Sequence, residues 1–249
     1  MIDLGLSDVH QVKRVLDNLV RLGGQCPRTD LMLHLVRGLL ALGFLAALFF
    51  GSAGRWDLPL DWGYFGLLVA LTAAGAFTVD PDLQRERWHP APGGKDLLPF
   101  LWVGMPMYLA HYVVAGLDLG RFHWSGAMSP AVQISGLIAS FAGWGLVWCA
   151  MVVNRYFAVT VRIQVERGHQ LIEAGPYRWV RHPGYGGAII GFLASPVALG
   201  SWCALVPIVP LLLLIIRRTV LEDRFLRQEL KGYPDYAARV RHRLLPCLW

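Results

Sequence analysis

Charge is scarce in this 249-residue chain: Asp, Glu, Lys and Arg together make up 16%, against about 25% in soluble domains. That scarcity excludes an ordinary water-soluble domain. Cysteine is also scarce. Cys26, Cys149, Cys203 and Cys247 stand far apart with no CxxC pair, which excludes a disulfide framework and a thiolate metal site. His169, His182 and His242 lack metal-ligand spacing, so no metal is expected. There is no Gly-x-x-x-x-Gly-Lys and no Gly-x-Gly-x-x-Gly after a strand, which argues against the standard phosphate-binding loops. A serine nucleophile elbow is missing too. The first 25 residues carry Asp3, Asp8, Lys13, Arg14, Asp17 and Arg21 and have no apolar core, so no cleavable signal peptide is expected.

What is present is apolar length. Hydrophobic residues make up 55% of the chain, and several runs approach the ~20 residues needed to cross a bilayer. The expected spans are 31–50, 62–79, 97–117 and 130–153. Trp62 and Tyr64 suit an interface, and Pro99 and Pro106 predict kinks. Within the spans, His34 and Arg37 are read as snorkelling or bundle-facing, and His111 as a packed core histidine. Residues 186–216 are apolar throughout, with breaks expected at Ser195-Pro196 and Gly200-Ser201. They predict a tight helical hairpin whose arms extend past the run. Outside the spans, residues 7–22 predict an amphipathic surface helix. Val159–Val165 alternates like an extended, strand-like arm. The predicted fold is therefore all-α: a polytopic transmembrane bundle with about six embedded helices, the last two a hairpin. Residues 1–153 form the scaffold and 154–249 the more polar functional region.

The placement of positive charge sets the orientation. Of the 23 Lys and Arg, 20 fall on one face of this arrangement and two, Arg55 and Arg121, on the other. The positive-inside rule puts both termini and the polar segments in the cytoplasm, in an integral membrane protein read as one of a bacterial inner membrane. The net charge of +6 thus belongs to the membrane face. No soluble basic module for nucleic acid stands apart from it.

One stretch concentrates the chemistry: Gly175-Pro176-Tyr177-Arg178-Trp179-Val180-Arg181-His182-Pro183-Gly184-Tyr185. It precedes the apolar run, and Arg217, Arg218, Glu222 and Asp223 follow it, so the hairpin folds the two groups together. Arg218 and Glu222 are spaced i, i+4 on one helix face. By itself that spacing describes a weak solvated pair. Beside a bilayer and facing a second polar cluster it gains meaning. Arginine, histidine and tyrosine donors opposite a carboxylate suit a zwitterionic, ring-bearing ligand. Gly187 and Gly191 have the small-xxx-small spacing of close helix packing.

Residues 164–185, Gln-Val-Glu-Arg-Gly-His-Gln-Leu-Ile-Glu-Ala-Gly-Pro-Tyr-Arg-Trp-Val-Arg-His-Pro-Gly-Tyr, resemble the cofactor-binding region of the isoprenylcysteine carboxyl methyltransferase family. The broader group includes membrane phospholipid methyltransferases. The acids Glu222-Asp223, the segment Tyr233-Pro234-Asp235-Tyr236 and the basic, proline-containing end from Arg239 extend the resemblance over roughly 150–249. Residues 80–96 resemble a segment common in bacterial members. The resemblance implies S-adenosylmethionine bound at the cytoplasmic face. It places cofactor contacts on Gln164, His169, Gln170, Leu171, Ile172, Tyr177, His182, Pro183, Gly184, Tyr185 and Glu222. Arg218 would face the methyl acceptor, so Arg218 and Glu222 are the catalytic candidates. The family pair is usually Glu-Glu, whereas Asp223 here shortens the second acid. The implied activity is methyl transfer to a lipophilic or lipidated acceptor, a carboxylate or a lipid amine, among membrane lipids. The competing readings are an NADPH-dependent membrane reductase of the sterol-reductase-like group and a non-catalytic membrane binding protein.

Overall fold

A computed structural model describes residues 28–88 and 97–246. The amphipathic helix expected over 7–22 and the turn at 89–96 lie outside these residues. Among the described residues, four helices are long and apolar enough to cross a membrane. They are α1 (Arg28–Ala53), α2 (Pro59–Thr78), α4 (Phe100–Phe122) and α5 (Pro130–Val153). A short polar helix, α3 (Pro81–Trp88), follows α2. Proline opens α2 and α5, where its missing N–H costs nothing, and the Ser129 hydroxyl accepts from the Val132 amide to cap α5. The prolines expected to kink the third span flank one widened π-helical turn, Phe100–Gly104. A second such turn, Asp118–Phe122, ends α4.

Two further helices follow, α6 (Pro183–Ala198) and α7 (Leu205–Glu229). The break expected at Ser195-Pro196 does not occur. Pro196 has no N–H for the Phe192 carbonyl, but the Ser195 hydroxyl donates to that oxygen at 3.1 Å, so the helix runs on to Ala198. The chain turns instead at Gly200, whose φ of 68° belongs to the left-handed region that glycine adopts freely. At this end of the bundle, buried Asp118 accepts from the Ser125 amide at 2.9 Å and from the Ser201 hydroxyl at 2.5 Å. It thereby ties loop 123–129 to turn 199–204. Buried His111 packs nearby as expected, with Nδ1 3.2 Å from the Ala204 carbonyl and Nε2 3.1 Å from the Ser195 hydroxyl.

Helices α5 and α6 make the closest contact. A Cβ on Gly143 would lie 2.4 Å from the Gly191 nitrogen and 2.7 Å from the Gly187 oxygen. Three glycines thus let two backbones touch, as the spacing of Gly187 and Gly191 predicts. Helix α7 changes character along its length. Ile208, Leu211 and Ile215 are buried against α4 and α6, while the half from Arg217 carries the charges. Its charged end, the start of α6, the end of α5 and α3 all collect at one end of the bundle.

No β-strand forms among the described residues, so the alternating arm Val159–Val165 is irregular rather than strand-like. Its polar side chains bond sideways instead: Arg162 pairs with Glu86 at 2.9 Å and with Glu166 at 2.7 Å. Its Ile163 packs with Leu171 on a small cluster of Leu230, Tyr233, Tyr236 and Ala237 from the end of α7 and from α8 (Tyr233–Arg239).

The glycine contact makes a paired test. Gly143→Ala is expected to destabilise the protein by about 1–3 kcal/mol through overpacking. Gly145, with nothing within 4 Å of its Cβ position, is expected to accept alanine at no loss. Thermal unfolding of both variants in detergent checks this, and equal midpoints would refute the close-contact account.

Candidate functional site

The stretch 175–185 lies across the bundle end as a 3-10 turn, Gly175–Arg178, followed by the first turn of α6. What fastens it is a carboxylate. Asp223 is fully buried, and its oxygens accept from Arg181 Nε at 2.7 Å, Arg227 Nε at 3.2 Å, Arg243 Nε at 3.2 Å and the Tyr233 hydroxyl at 3.0 Å. His182 Nε2 lies 3.4 Å from the same group. Burial pushes this carboxyl up, but hydrogen bonds and charge from His182 and Arg181 more than reverse that and hold it well below the usual carboxylate range. Arg181 then donates its remaining nitrogen to the Val240 and Arg241 carbonyls at 2.7 and 2.8 Å. The Arg181 and His182 amides donate to the His242 and Arg243 carbonyls at 3.0 and 2.8 Å. The segment after α8 therefore lies as a strap over the motif.

The neighbouring acid faces the other way. Glu222 Oε2 accepts from the Tyr185 hydroxyl at 2.6 Å, and that hydroxyl accepts from Arg218 Nε at 2.6 Å. The i, i+4 pair is thus joined through a tyrosine from α6. Arg218 is buried, with its guanidinium 5.3 Å from the Phe100 ring centroid and a second nitrogen on the Val159 carbonyl. Consecutive residues of one helix point about 100° apart, so Asp223 is committed to the structure while Glu222 lines a cavity.

That cavity lies between the 154–172 arm, the start of α6 and the end of α7. Nine of the expected site residues line it: His169, Gln170, Leu171, Ile172, Tyr177, His182, Gly184, Tyr185 and Glu222. Three do not. Gln164 is buried beside it, donating to the Tyr156 carbonyl at 2.8 Å and accepting from Arg167 at 2.5 Å. Pro183 is packed as the first residue of α6. Arg218 stands behind Tyr185. Arg178 and Trp179 are exposed.

Other lining residues were not singled out from the sequence, Asn154, Tyr156, Phe157 and Arg162 among them, while Tyr233 and Tyr236, which line it too, come from the segment that extends the resemblance. Tyr156 stacks on His169 with ring centroids 4.5 Å apart. His169 Nδ1 accepts from the Gln164 amide at 3.3 Å, which leaves Nε2–H as a donor. Burial lowers the His169 pKa against the opposing Glu222 charge, which favours the neutral ring. The Tyr177 hydroxyl accepts from Asn154 at 3.1 Å, which frees its hydrogen for a ligand. The cavity thus offers donors on one side, a carboxylate on the other and aromatic faces between.

With the geometry in place, comparison with known proteins locates the same region. Residues 136–228 match the sequence profile of the isoprenylcysteine carboxyl methyltransferase family. Two curated relatives, from Oryza sativa subsp. indica and subsp. japonica, are each named "Probable protein-S-isoprenylcysteine O-methyltransferase". Each is 38% identical over 98 residues, covering 37% of this chain and 49% of the relative. The chain therefore spans about half the length of the curated relatives it matches. The region from α5 to the end of α7, which contains the motif and both acids, is isoprenylcysteine carboxyl methyltransferase-like.

Asp223→Asn is expected to cost about 3–5 kcal/mol at pH 7, because it strands the buried Arg181 without its counter-charge. A depressed carboxyl contributes stability above its unfolded pKa of ~3.9 and loses it as pH falls towards the folded value. The gap between wild type and variant is therefore constant from pH 8 to about 5 and narrows below ~4. Denaturant unfolding across pH checks both points, and a variant as stable as wild type at pH 7 sinks them.

Proposed function

We propose that the protein is an integral membrane methyltransferase that uses S-adenosylmethionine to methylate a lipophilic carboxylate of the isoprenylcysteine kind. The observation that carries this reading is the Arg218–Tyr185–Glu222 chain on the wall of a cavity inside the family-like region. In the same reading α6 and α7 are the last two of six membrane-embedded helices, and the cavity faces the cytoplasm. The excess of Lys and Arg at the site end of the bundle supports that orientation.

The donor set matches the cofactor's groups. Glu222 Oε1 has no partner among the described residues and suits an ammonium or ribose hydroxyl. Tyr177, His169 Nε2–H and the first amides of α6 are donors suited to a carboxylate. Tyr156, Tyr233 and Tyr236 present ring faces to a sulfonium or a base. S-adenosylmethionine held by these residues would supply an electrophilic methyl group, for which a C–O bond to the acceptor carboxylate would replace the C–S bond, with a neutral thioether as the leaving group. A carboxylate is already deprotonated, so this chain has no proton to remove. The task left to it is to hold two partners in line and exclude water. Arg218, always charged, stands behind Tyr185 and acts on the cavity through that hydroxyl, which it holds in place.

Size adds a requirement. The space enclosed is about 80 Å³, below the ~300–1,000 Å³ of small-molecule pockets. Binding therefore moves a wall. The 154–172 arm is the wall with least regular structure, and such segments open at low cost.

The test is direct. Purified protein in detergent is titrated with S-adenosylmethionine and, separately, with NADPH by calorimetry, then given labelled cofactor and host membrane extract. S-adenosylmethionine is expected to bind and a base-labile lipidic methyl ester to form. Glu222→Ala is expected to weaken cofactor binding at least tenfold. Tyr185→Phe, which breaks the link to Arg218, is expected to do so by a smaller factor. Hydrogen exchange in 154–172 should slow on binding. NADPH binding without S-adenosylmethionine binding would replace this reading with the reductase one.

A further inference from the structure

Another cavity, of about 250 Å³, opens on the Asp223 side of α7 and is lined by Arg181, Arg227, Arg241 and Arg243 with Ala237. Among the described residues no carboxylate lines it. Asp223 lies behind the arginines, where it accepts from the Nε atoms of Arg181, Arg227 and Arg243. One negative charge is thus shared by three guanidiniums. Arg227 gives Asp223 only Nε, and its two terminal nitrogens meet no acceptor among the described residues. Arg241 is exposed, and its side chain takes no hydrogen bond or ion pair there.

The acceptors that would repel an anion are turned away. The Val240 and Arg241 carbonyls receive Arg181, and the His242 and Arg243 carbonyls receive the amides of the motif. What the strap and α7 present to the cavity is therefore guanidinium. Like charges gathered in one place repel each other. An anion with several oxygens relieves that repulsion and accepts from more than one planar fork. The volume is below the ~300–1,000 Å³ of pockets for drug-sized ligands, which favours a small ion.

Depth indicates where such an ion comes from. Arg227 stands eleven residues past Ile216, the last residue of the apolar run, or roughly 16 Å along the helix. A headgroup layer is about 5–8 Å deep. With α7 embedded as proposed above, the cavity lies beyond the lipid phosphates and opens to water.

We propose that this cavity binds a dissolved phosphate-bearing anion, with Arg227 and Arg241 as its main donors. Arg227 belongs to α7 and Arg241 to the strap, so the bound anion joins the two and reinforces from outside what Asp223 does from within. The proposal does not depend on the methyltransferase reading.

Sodium pyrophosphate is the probe, titrated by calorimetry into protein in phosphatidylcholine nanodiscs at pH 7.5 and physiological ionic strength. One-to-one binding is expected, with slower hydrogen exchange over 240–244. Arg241 lines this cavity and not the one at the motif, so Arg241→Gln localises the site. It is expected to weaken binding at least tenfold and to leave the thermal midpoint without ligand unchanged. Arg239→Gln removes the same charge from a residue that pairs with Glu173 outside the cavity, and it is expected to bind as wild type does. The absence of saturable binding in wild type, or equal weakening in the two variants, overturns the proposal. Affinity is expected to be unchanged in discs containing phosphatidylglycerol. A tenfold loss there in wild type that is absent in Arg241→Gln would assign the cavity to a lipid phosphate and overturn the dissolved ligand.

Discussion

The architecture of the site depends on one buried carboxylate. A charge as fully enclosed as Asp223 is unfavourable by several kcal/mol unless its lone pairs are satisfied. Here three arginines, a histidine and a tyrosine satisfy them, and they come from four different segments. Because each partner is needed, the carboxylate fixes where each segment lies. Helix α7 is held against the motif before α6, and the strap after α8 is drawn across both. The cavity is the space left on the other side of that knot, and Glu222 faces it because it is one residue away on the same helix.

A second constraint sets the distance over which this works. Gly143, Gly187 and Gly191 bring α5 and α6 into backbone contact. That contact places Asn154, at the end of α5, within reach of Tyr177 in the motif. Larger side chains there would separate the helices and pull the 154–172 arm from the wall it completes. The apolar packing inside the bundle and the polar geometry at its end are thus one problem, joined through residues with no side chain.

Much of this was legible in the chain itself. The four long helices follow from apolar length, the glycine contact from its spacing, and the meeting of the motif with Glu222 and Arg218 from the apolar run between them. The motif's spelling pointed to the family that comparison then found over residues 136–228. The role of Asp223 was not legible, because its principal partner stands 42 residues away and nothing in local spacing joins them. The i, i+4 placement of Asp223 and Arg227 and the run of arginines from 239 to 243 were the available signals. Tyr156 and Asn154 were hidden for a similar reason: they lie in a segment that reads as a connector and becomes a wall only once α5 and α6 are in contact. Pro196 misled as a helix breaker because the serine before it repairs the bond that proline removes.

The knot around Asp223 also bears on how the chain is made. Arg181 and the carbonyl of Val240 that receives it are 59 residues apart in sequence. As a nascent chain threads into a membrane, the motif emerges, then α6 and α7, while the strap that completes the carboxylate's shell is still to be synthesised. Throughout that interval the shell around Asp223 lacks Arg243 and the strap carbonyls that hold Arg181, and hydrocarbon does not accept so incomplete a cluster of charges. Water beside the membrane is the only place they can wait. The residues that later build the site thus act first as a stop, preventing the ends of two apolar helices from sliding inward until the last arginine arrives.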